Sequence, residues 1–287
     1  MVKTLEELKN YDGPDKVRHW QEYLLEKFVK GDRGQTFKSG FEVFDKELGG
    51  IQTGEVVVIS GYTKQGKTLF AESWLESIRR INPEARTMIL SFEVQADKLL
   101  AKYVNRGEAE IYLPSELKTM DFEWLKERCM ESIVKYDCNI LLIDHLHFMV
   151  DMNTKQNMSL NIGAFMRRLK KDIAIDLDMA IILIAHQSGA KDGQQASINT
   201  IRDSSFVAQE SDSIIVVSRR KDLDDVELID IRGRHGDFKK NELEDMKVDG
   251  KNYSMNLAIV SIERARRTGT FEFKKLFQKR GEFMEEL

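Results

Sequence analysis

Cysteine, proline and long apolar runs are all scarce in this sequence, and each scarcity excludes something. Two cysteines, Cys129 and Cys138, among 287 residues are too few for a disulfide framework or a four-cysteine zinc site. They suit a reducing compartment, and a cytoplasmic location is expected. No apolar run reaches the roughly 18 residues that a membrane-spanning helix needs, so no membrane partner is expected. The first sixteen residues, MVKTLEELKNYDGPDK, lack the apolar stretch of a secretory signal. Three prolines and no low-complexity tract argue against long disordered linkers. An excess of either charge is also missing: 44 Lys and Arg stand against 48 Asp and Glu, a net charge of −4. That excludes indiscriminate nucleic-acid binding by the whole surface. A local basic patch stays open, because salt confines such fields to short range.

What is present is an alternation of strand-like and helix-like segments. Glu55–Ser60, Thr87–Phe92, Asn139–Asp144, Met179–Ala185 and Ser213–Ser218 are rich in Ile, Val and Leu and show no clean polar alternation. Strands covered on both faces have this composition, which predicts a parallel sheet between helices. Lys67–Ile81, Phe122–Tyr136 and Leu160–Leu177 read as the helices between them. After Arg219 the pattern changes to ELIDI, MNLAIVSIE and TFEFKKL, separated by turn-like stretches, and predicts antiparallel strands at one sheet edge. Residues 232–251 mix both charge signs and read as an exposed loop or hairpin. The fold class is therefore α/β, a mostly parallel central sheet flanked by helices. Two domains are expected. Residues 1–35 hold an amphipathic helix, with Trp20, Leu24 and Phe28 on one stripe, and a short linker; residues 36–287 hold the α/β domain.

The sharpest motif is Gly61-Tyr62-Thr63-Lys64-Gln65-Gly66-Lys67-Thr68, with Leu69 continuing into a helix. It fits G-x-x-x-x-G-K-[ST], directly after a strand and opening a helix, the context this phosphate-binding loop requires. Glycines let backbone N–H groups wrap a phosphate, and the helix N-terminus favours negative charge. Lys67 can reach the β- and γ-phosphates of ATP, and Thr68 can offer its hydroxyl to Mg²⁺. Asp144, at the end of a strand, is the second candidate Mg²⁺ ligand; a turn-capping Asp is the bland alternative. Glu93, in Ser91-Phe92-Glu93 after another strand, is placed to activate water. Alternatively it is a surface residue opening the next helix. Arg264, Arg266 and Arg267 follow an edge strand. Any of the three could deliver a cation to a γ-phosphate, or all could form a solvated basic turn. His145-x-His147 shares one strand face, but no Cys or third His stands nearby in sequence, so packing is preferred over a metal site.

Taken together these segments resemble the RecA-like motor of DnaB-type ring helicases, of the phage or plasmid kind, from about Thr36 to Phe273. The entry FKSGFEVFDKELGGIQTGEVVVISG, the SFE of Glu93 and the LLIDHLHFM of Asp144 look like that family's phosphate-loop, catalytic-glutamate and Walker B stretches. His145 and His147 stand where many members carry Tyr and Gln. The block IRDSSFVAQESDSIIVV is similar to the family's DNA-loop segment, with Arg202, Asp203, Ser204, Gln209 and Asp212 in register. Ser205 replaces a glycine. The segment RARRTG resembles the family's finger motif.

The resemblance implies a RecA-like P-loop NTPase fold and an ATP-dependent replicative DNA helicase that assembles as a homo-oligomer, a hexameric ring. Glu93, Lys67, His186, Arg266 and Arg264 would then be catalytic: His186 as a γ-phosphate sensor, Arg266 as an arginine finger into the neighbouring subunit, with Arg264 beside it. Lys191, Arg202, Asp203 and Ser204 would face single-stranded DNA in the channel, where charge rather than base stacking would grip the backbone. The N-terminal helix would dock on the adjacent subunit, or else fold onto its own core. A primase, loader or polymerase partner and a bacterial host cytosol are further implications. The alternatives are a RecA- or RadA-like recombinase, a packaging motor, or a non-hydrolysing nucleotide-gated assembly factor.

Overall fold

The computed structural model describes residues 4–13, 16–17, 19–22, 34–104, 110–150, 158–187, 204–219, 257–280 and 283–286. It divides into two compact units, residues 1–34 and 35–287. The first contains helix α1 (Leu5–Lys9), started by a capping box in which Thr4 and Glu7 satisfy each other's backbone N–H. Most of the predicted amphipathic helix, including Leu24 and Phe28, lies outside the described residues, as do ELIDI and residues 232–251.

In the second unit a small antiparallel pair, β1 (Thr36–Phe37) and β2 (Ile51–Gln52), brackets α2 (Glu42–Leu48). The main sheet follows: β3 (Val56–Gly61), β4 (Thr87–Ser91), β5 (Ile111–Tyr112), β6 (Ile140–Asp144), β7 (Ala180–His186), β8 (Ser213–Ser218), β9 (Leu257–Ala265), β10 (Phe271–Arg280) and β11 (Phe283–Glu286). Its strand order is β11-β10-β9-β8-β3-β7-β6-β4-β5. From β8 to β5 all pairs are parallel, and β8 to β11 pair antiparallel at one edge. The helices are α3 (Lys67–Ile81), α4 (Ala96–Val104), α5 (Phe122–Tyr136), α6 (Met158–Arg168) and α7 (Ser204–Glu210). The stretch predicted as one helix to Leu177 changes to a π-helix over Leu169–Ile175.

The apolar strands are buried on both faces, which explains their lack of alternation. In β3, Val57 and Ile59 pack with Phe70, Trp74 and Ile78 of α3 on one face. Val56 and Val58 pack with Leu125 and Cys129 of α5 and Met166 of α6 on the other. The first face carries an aromatic cluster: the Phe277 ring meets Phe70 at 5.3 Å and Phe44 at 5.9 Å, both edge-on. Such pairs add about 0.5–1.5 kcal/mol each beyond the area they bury. Trp74 and Trp124 are buried in the core.

Helix α5 begins at Asp121, whose carboxylate accepts the Trp124 N–H at 2.9 Å. Replacing Asp121 by Ala leaves that amide without its partner and is expected to lower stability by about 1 kcal/mol. Denaturant titration measures this as a lower midpoint at unchanged slope.

The parallel register brings four strand ends to one edge. Gly61 pairs with His186, and Asp144 with Ser91 and Ile184. Everything that follows β3, β4, β6 and β7 therefore emerges side by side. At the opposite edge, Asp212 joins the starts of two strands. Its Oδ2 accepts the Val56 N–H at 2.7 Å and meets Lys170 Nζ at 2.6 Å. Asp212 matches the helicase segment in spacing, and its contacts here are structural.

Candidate functional site

Glycine is required at two positions of the phosphate loop. Gly61 has φ +154°, and a Cβ there would stand 2.3 Å from the Val217 carbonyl oxygen. Gly66 has φ +91° and caps α3 without any side-chain hydrogen bond, so the first amides of the helix point into the loop unclaimed by a cap. Lys67 is buried, and its Nζ donates to the loop's own Tyr62 carbonyl at 3.0 Å. Burial lowers the Lys67 pKa, opposed by the nearby Asp144 and Glu93 carboxylates.

Asp144 is 2% exposed and accepts from the Thr68 hydroxyl at 2.9 Å. Its other oxygen, Oδ1, is buried with no hydrogen-bond partner among the described residues. Desolvation raises the Asp144 pKa to about 6, against the opposing Thr68 hydrogen bond. A buried carboxylate oxygen with no partner beside a hydroxyl is a hard, all-oxygen donor pair. It fits Mg²⁺, which takes such ligands and completes its shell with water and phosphate.

Glu93 stands just past the end of β4. Its Oε1 is 3.2 Å from His186 Nε2, at the end of β7, and 3.1 Å from His145 Nδ1, after β6. The two imidazole centroids are 4.1 Å apart, edge to face. Burial lowers both histidine pKa values, that of His145 to about 4; the His186 imidazole adds to the effect on His145 and Lys67 to that on both, against the opposing Glu93 carboxylate. Both rings are therefore neutral near pH 7. A cavity of about 350 Å³, lined by Ser91, Glu93 and Leu117 among others, opens beside Glu93.

The structure thus brings together Gly61 to Leu69, Glu93, Asp144 and His186, residues spread over half the chain. It also supplies two groups to which the sequence assigned no part in this site. His145 joins Glu93 and His186. Arg219, directly after β8, lies over the loop: a Cβ on Gly66 would stand 3.4 Å from its Nε. That Nε is buried with no partner among the described residues, and the Arg219 N–H donates to the Gln65 side chain. The signal that could have found it is position, since β8 neighbours β3 and its end faces the loop.

The arginine turn between β9 and β10 lies elsewhere. β9 runs antiparallel to β8 and pairs Ala265 with Ser213, at the edge opposite the phosphate loop. Six residues of β3 separate the two edges by about 20 Å. Arg267 is committed to its own chain, meeting Glu55 at 2.8 Å and the Gly50 carbonyl at 2.9 Å. Arg264 is half-buried, donating to the Ala208 and Ser211 carbonyls. Arg266 is exposed; among the described residues its side chain makes one hydrogen bond, to the Gln209 carbonyl, while its backbone N–H donates to the Asp212 carbonyl at 2.9 Å.

Lys191, Arg202 and Asp203 lie outside the described residues, and Ser204 is described only as the first residue of α7. Phe206, the aromatic nearest those loops, packs its ring against Gly163 of α6.

A glycine loop between β3 and α3, a carboxylate ending β6 and a central strand order of β8-β3-β7-β6-β4 define a P-loop nucleotide-binding domain of RecA type. The model of the DnaB-like helicase C-terminal domain matches residues 36–113 and 101–280, and the chain belongs to that family. The replicative DNA helicase DnaB of Haemophilus influenzae is 20% identical over 250 residues, covering 72% of this chain and 53% of that protein. The chain thus spans about half the length of this curated relative. Among solved structures, a DnaB-like replicative helicase described with its interactions with primase is similar at TM-score 0.65 and 16% identity, over 96% of this chain and 68% of the other. The ATPase domain of G40P is similar at TM-score 0.62 and 17% identity, over 90% and 93%. Both likenesses show the fold. No helix among the described residues is long and apolar enough to cross a membrane.

Proposed function

We propose that this chain is the ATP-driven motor of a replicative DNA helicase, assembling into a ring, moving on single-stranded DNA and unwinding the duplex ahead. The observation that carries this reading is the convergence of Lys67, Thr68, Asp144 and Glu93 at one sheet edge, in a chain of the DnaB-like family. Lys67 holds the β- and γ-phosphates. Thr68 and Asp144 hold Mg²⁺, which when bound neutralises charge developing on the phosphate oxygens. Glu93 orients and deprotonates the attacking water. His186, hydrogen-bonded to Glu93, links that carboxylate to the segment after Gln187 that contains Lys191.

Arg266 acts in trans. Its turn stands at the edge opposite its own phosphate loop, so it reaches a γ-phosphate only in a neighbouring subunit. Of the three arginines it is the one whose side chain makes a single carbonyl contact among the described residues, whereas Arg267, also exposed, and Arg264 each hold several groups of their own chain. Lys191, Arg202, Asp203 and Ser204 contact DNA. Residues 1–35 dock on the next subunit, and a primase is a partner of the assembled ring.

The test is native mass measurement joined to forked-duplex unwinding, with ATP, Mg²⁺ and single-stranded DNA. The expected result is a six-subunit ring, turnover stimulated by oligonucleotide, and DNA affinity that falls steeply with salt as counterions compete. Mixing wild type with Arg266→Ala subunits should depress activity more than dilution does. A chain that stays monomeric and cleaves ATP without response to DNA contradicts the proposal. Strand exchange without unwinding would assign a recombinase instead.

A further inference from the structure

Three metal-ligating atoms converge beside the Mg²⁺ position. Glu93 Oε1 lies 3.1 Å from His145 Nδ1 and 3.2 Å from His186 Nε2, and all three atoms fall within 4.8 Å of one another. We propose that Glu93, His145 and His186 bind a divalent transition-metal ion, Zn²⁺, and that Zn²⁺ held there stops ATP hydrolysis. The binding stands on geometry alone; the inhibition rests on the reading of Glu93 as the base that activates water.

The spacing suits the ion. With zinc–ligand bonds of about 2.0–2.2 Å, tetrahedral ligands stand roughly 3.3–3.6 Å apart, so the two carboxylate–imidazole separations need to open by only a few tenths of an ångström. The ligands come from the ends of three adjacent parallel strands, β4, β6 and β7, whose register fixes their mutual positions. His145 is 8% exposed, and its Nδ1 is buried without an aligned hydrogen bond. Its 3.1 Å approach to Glu93 Oε1 does not make a hydrogen bond, and a metal bond shared by the two atoms would satisfy the nitrogen. Three protein ligands leave a fourth position open to water.

Ligand chemistry separates this site from its neighbour. Thr68 and Asp144 present oxygen only, which suits Mg²⁺. Two imidazoles and a carboxylate suit zinc and its transition-metal neighbours. Cys129 and Cys138 do not compete, being buried in the core on one face of the sheet. The sequence pair His145-x-His147 lacked a third ligand; folding supplies two, from positions 93 and 186. Once Zn²⁺ takes the Glu93 Oε1 lone pair, that oxygen can no longer accept a proton from water. Lys67 and the loop amides are untouched, so ATP still binds.

Co²⁺, a visible probe of zinc sites, is titrated into the full chain free of nucleotide and Mg²⁺. A single Co²⁺ with an absorption band of tetrahedral intensity, displaced by Zn²⁺, is expected. His145→Gln should abolish the band while retaining the folded circular-dichroism spectrum; His186→Gln is the second variant should the first misfold. Zn²⁺ should lower kcat for ATP at unchanged KM, reversibly with a zinc-selective chelator, and His145→Gln should weaken that response roughly tenfold or more. No tetrahedral band in the wild type, or a band that survives both histidine replacements, overturns the site. Tight Zn²⁺ binding with undiminished turnover overturns the inhibition. Normal turnover by Glu93→Gln would overturn the functional reading of Glu93 while leaving the wild-type Co²⁺ spectrum in place, so the two failures are distinguishable.

Discussion

Glu93→Gln is expected to reduce ATP turnover by about 10²–10⁴-fold, the usual contribution of a positioned general base, with ATP affinity nearly unchanged. The amide keeps the shape of the carboxylate and an oxygen facing His145 and His186, but it cannot take a proton at neutral pH. Glu93 is 41% exposed and makes no contact with the phosphate loop's own hydrogen bonds, so the substitution should not disturb folding. Steady-state turnover together with fluorescent-nucleotide titration separates the two effects. Unchanged turnover would remove Glu93 from the mechanism.

Asp144→Asn should act on activity and stability in opposite directions. It removes the charge proposed to hold Mg²⁺, so Mg²⁺-dependent hydrolysis should fall to near background. It also removes a buried carboxylate. Asp144 is driven up to about 6 by burial, well above the range of an exposed Asp. A carboxyl whose folded pKa is raised stabilises the fold below its unfolded pKa, and that contribution is lost as pH rises through the folded value. At pH 7, without Mg²⁺, the charged Asp144 therefore costs the native state on the order of 2–3 kcal/mol. The Asn variant, free of Mg²⁺ and nucleotide, should melt several degrees higher at pH 7. Its advantage should shrink as pH falls from 6 toward 4, where the wild-type carboxyl is itself neutral. An Asn variant that melts lower at pH 7 would mean that the Asp144 charge is already compensated within the chain.

The fold was legible because its signals are local. Uninterrupted Ile, Val and Leu in five short runs indicate strands buried on both faces, and the two faces of β3 pack against separate helical layers. The phosphate loop was legible because nearly all of its parts lie within eight residues. Asp144 and Glu93 were legible as strand-end carboxylates, though only with alternatives attached. The arginines were not separable. Three of them fall within four positions, and each could serve. What distinguishes them is which carbonyls and carboxylates each already meets: Glu55 and Gly50 for Arg267, Ala208 and Ser211 for Arg264. Arg219 was missed because it belongs to no compact motif, and His145 was read as packing because the groups it meets, Glu93 and His186, are distant in sequence.

By itself the sequence determined the α/β layering, a glycine-rich loop of phosphate-binding pattern between strand and helix, and the likeness to the DnaB-like helicase family, since these depend on hydrophobic runs and on short, contiguous spacing. Only the tertiary structure decided that His186 and His145 share one carboxylate, that Asp144 keeps an oxygen without a partner among the described residues, and that the arginine turn faces away from its own phosphate loop. Those facts follow from strand order and register, which place distant residues side by side at one sheet edge and send an antiparallel strand to the other.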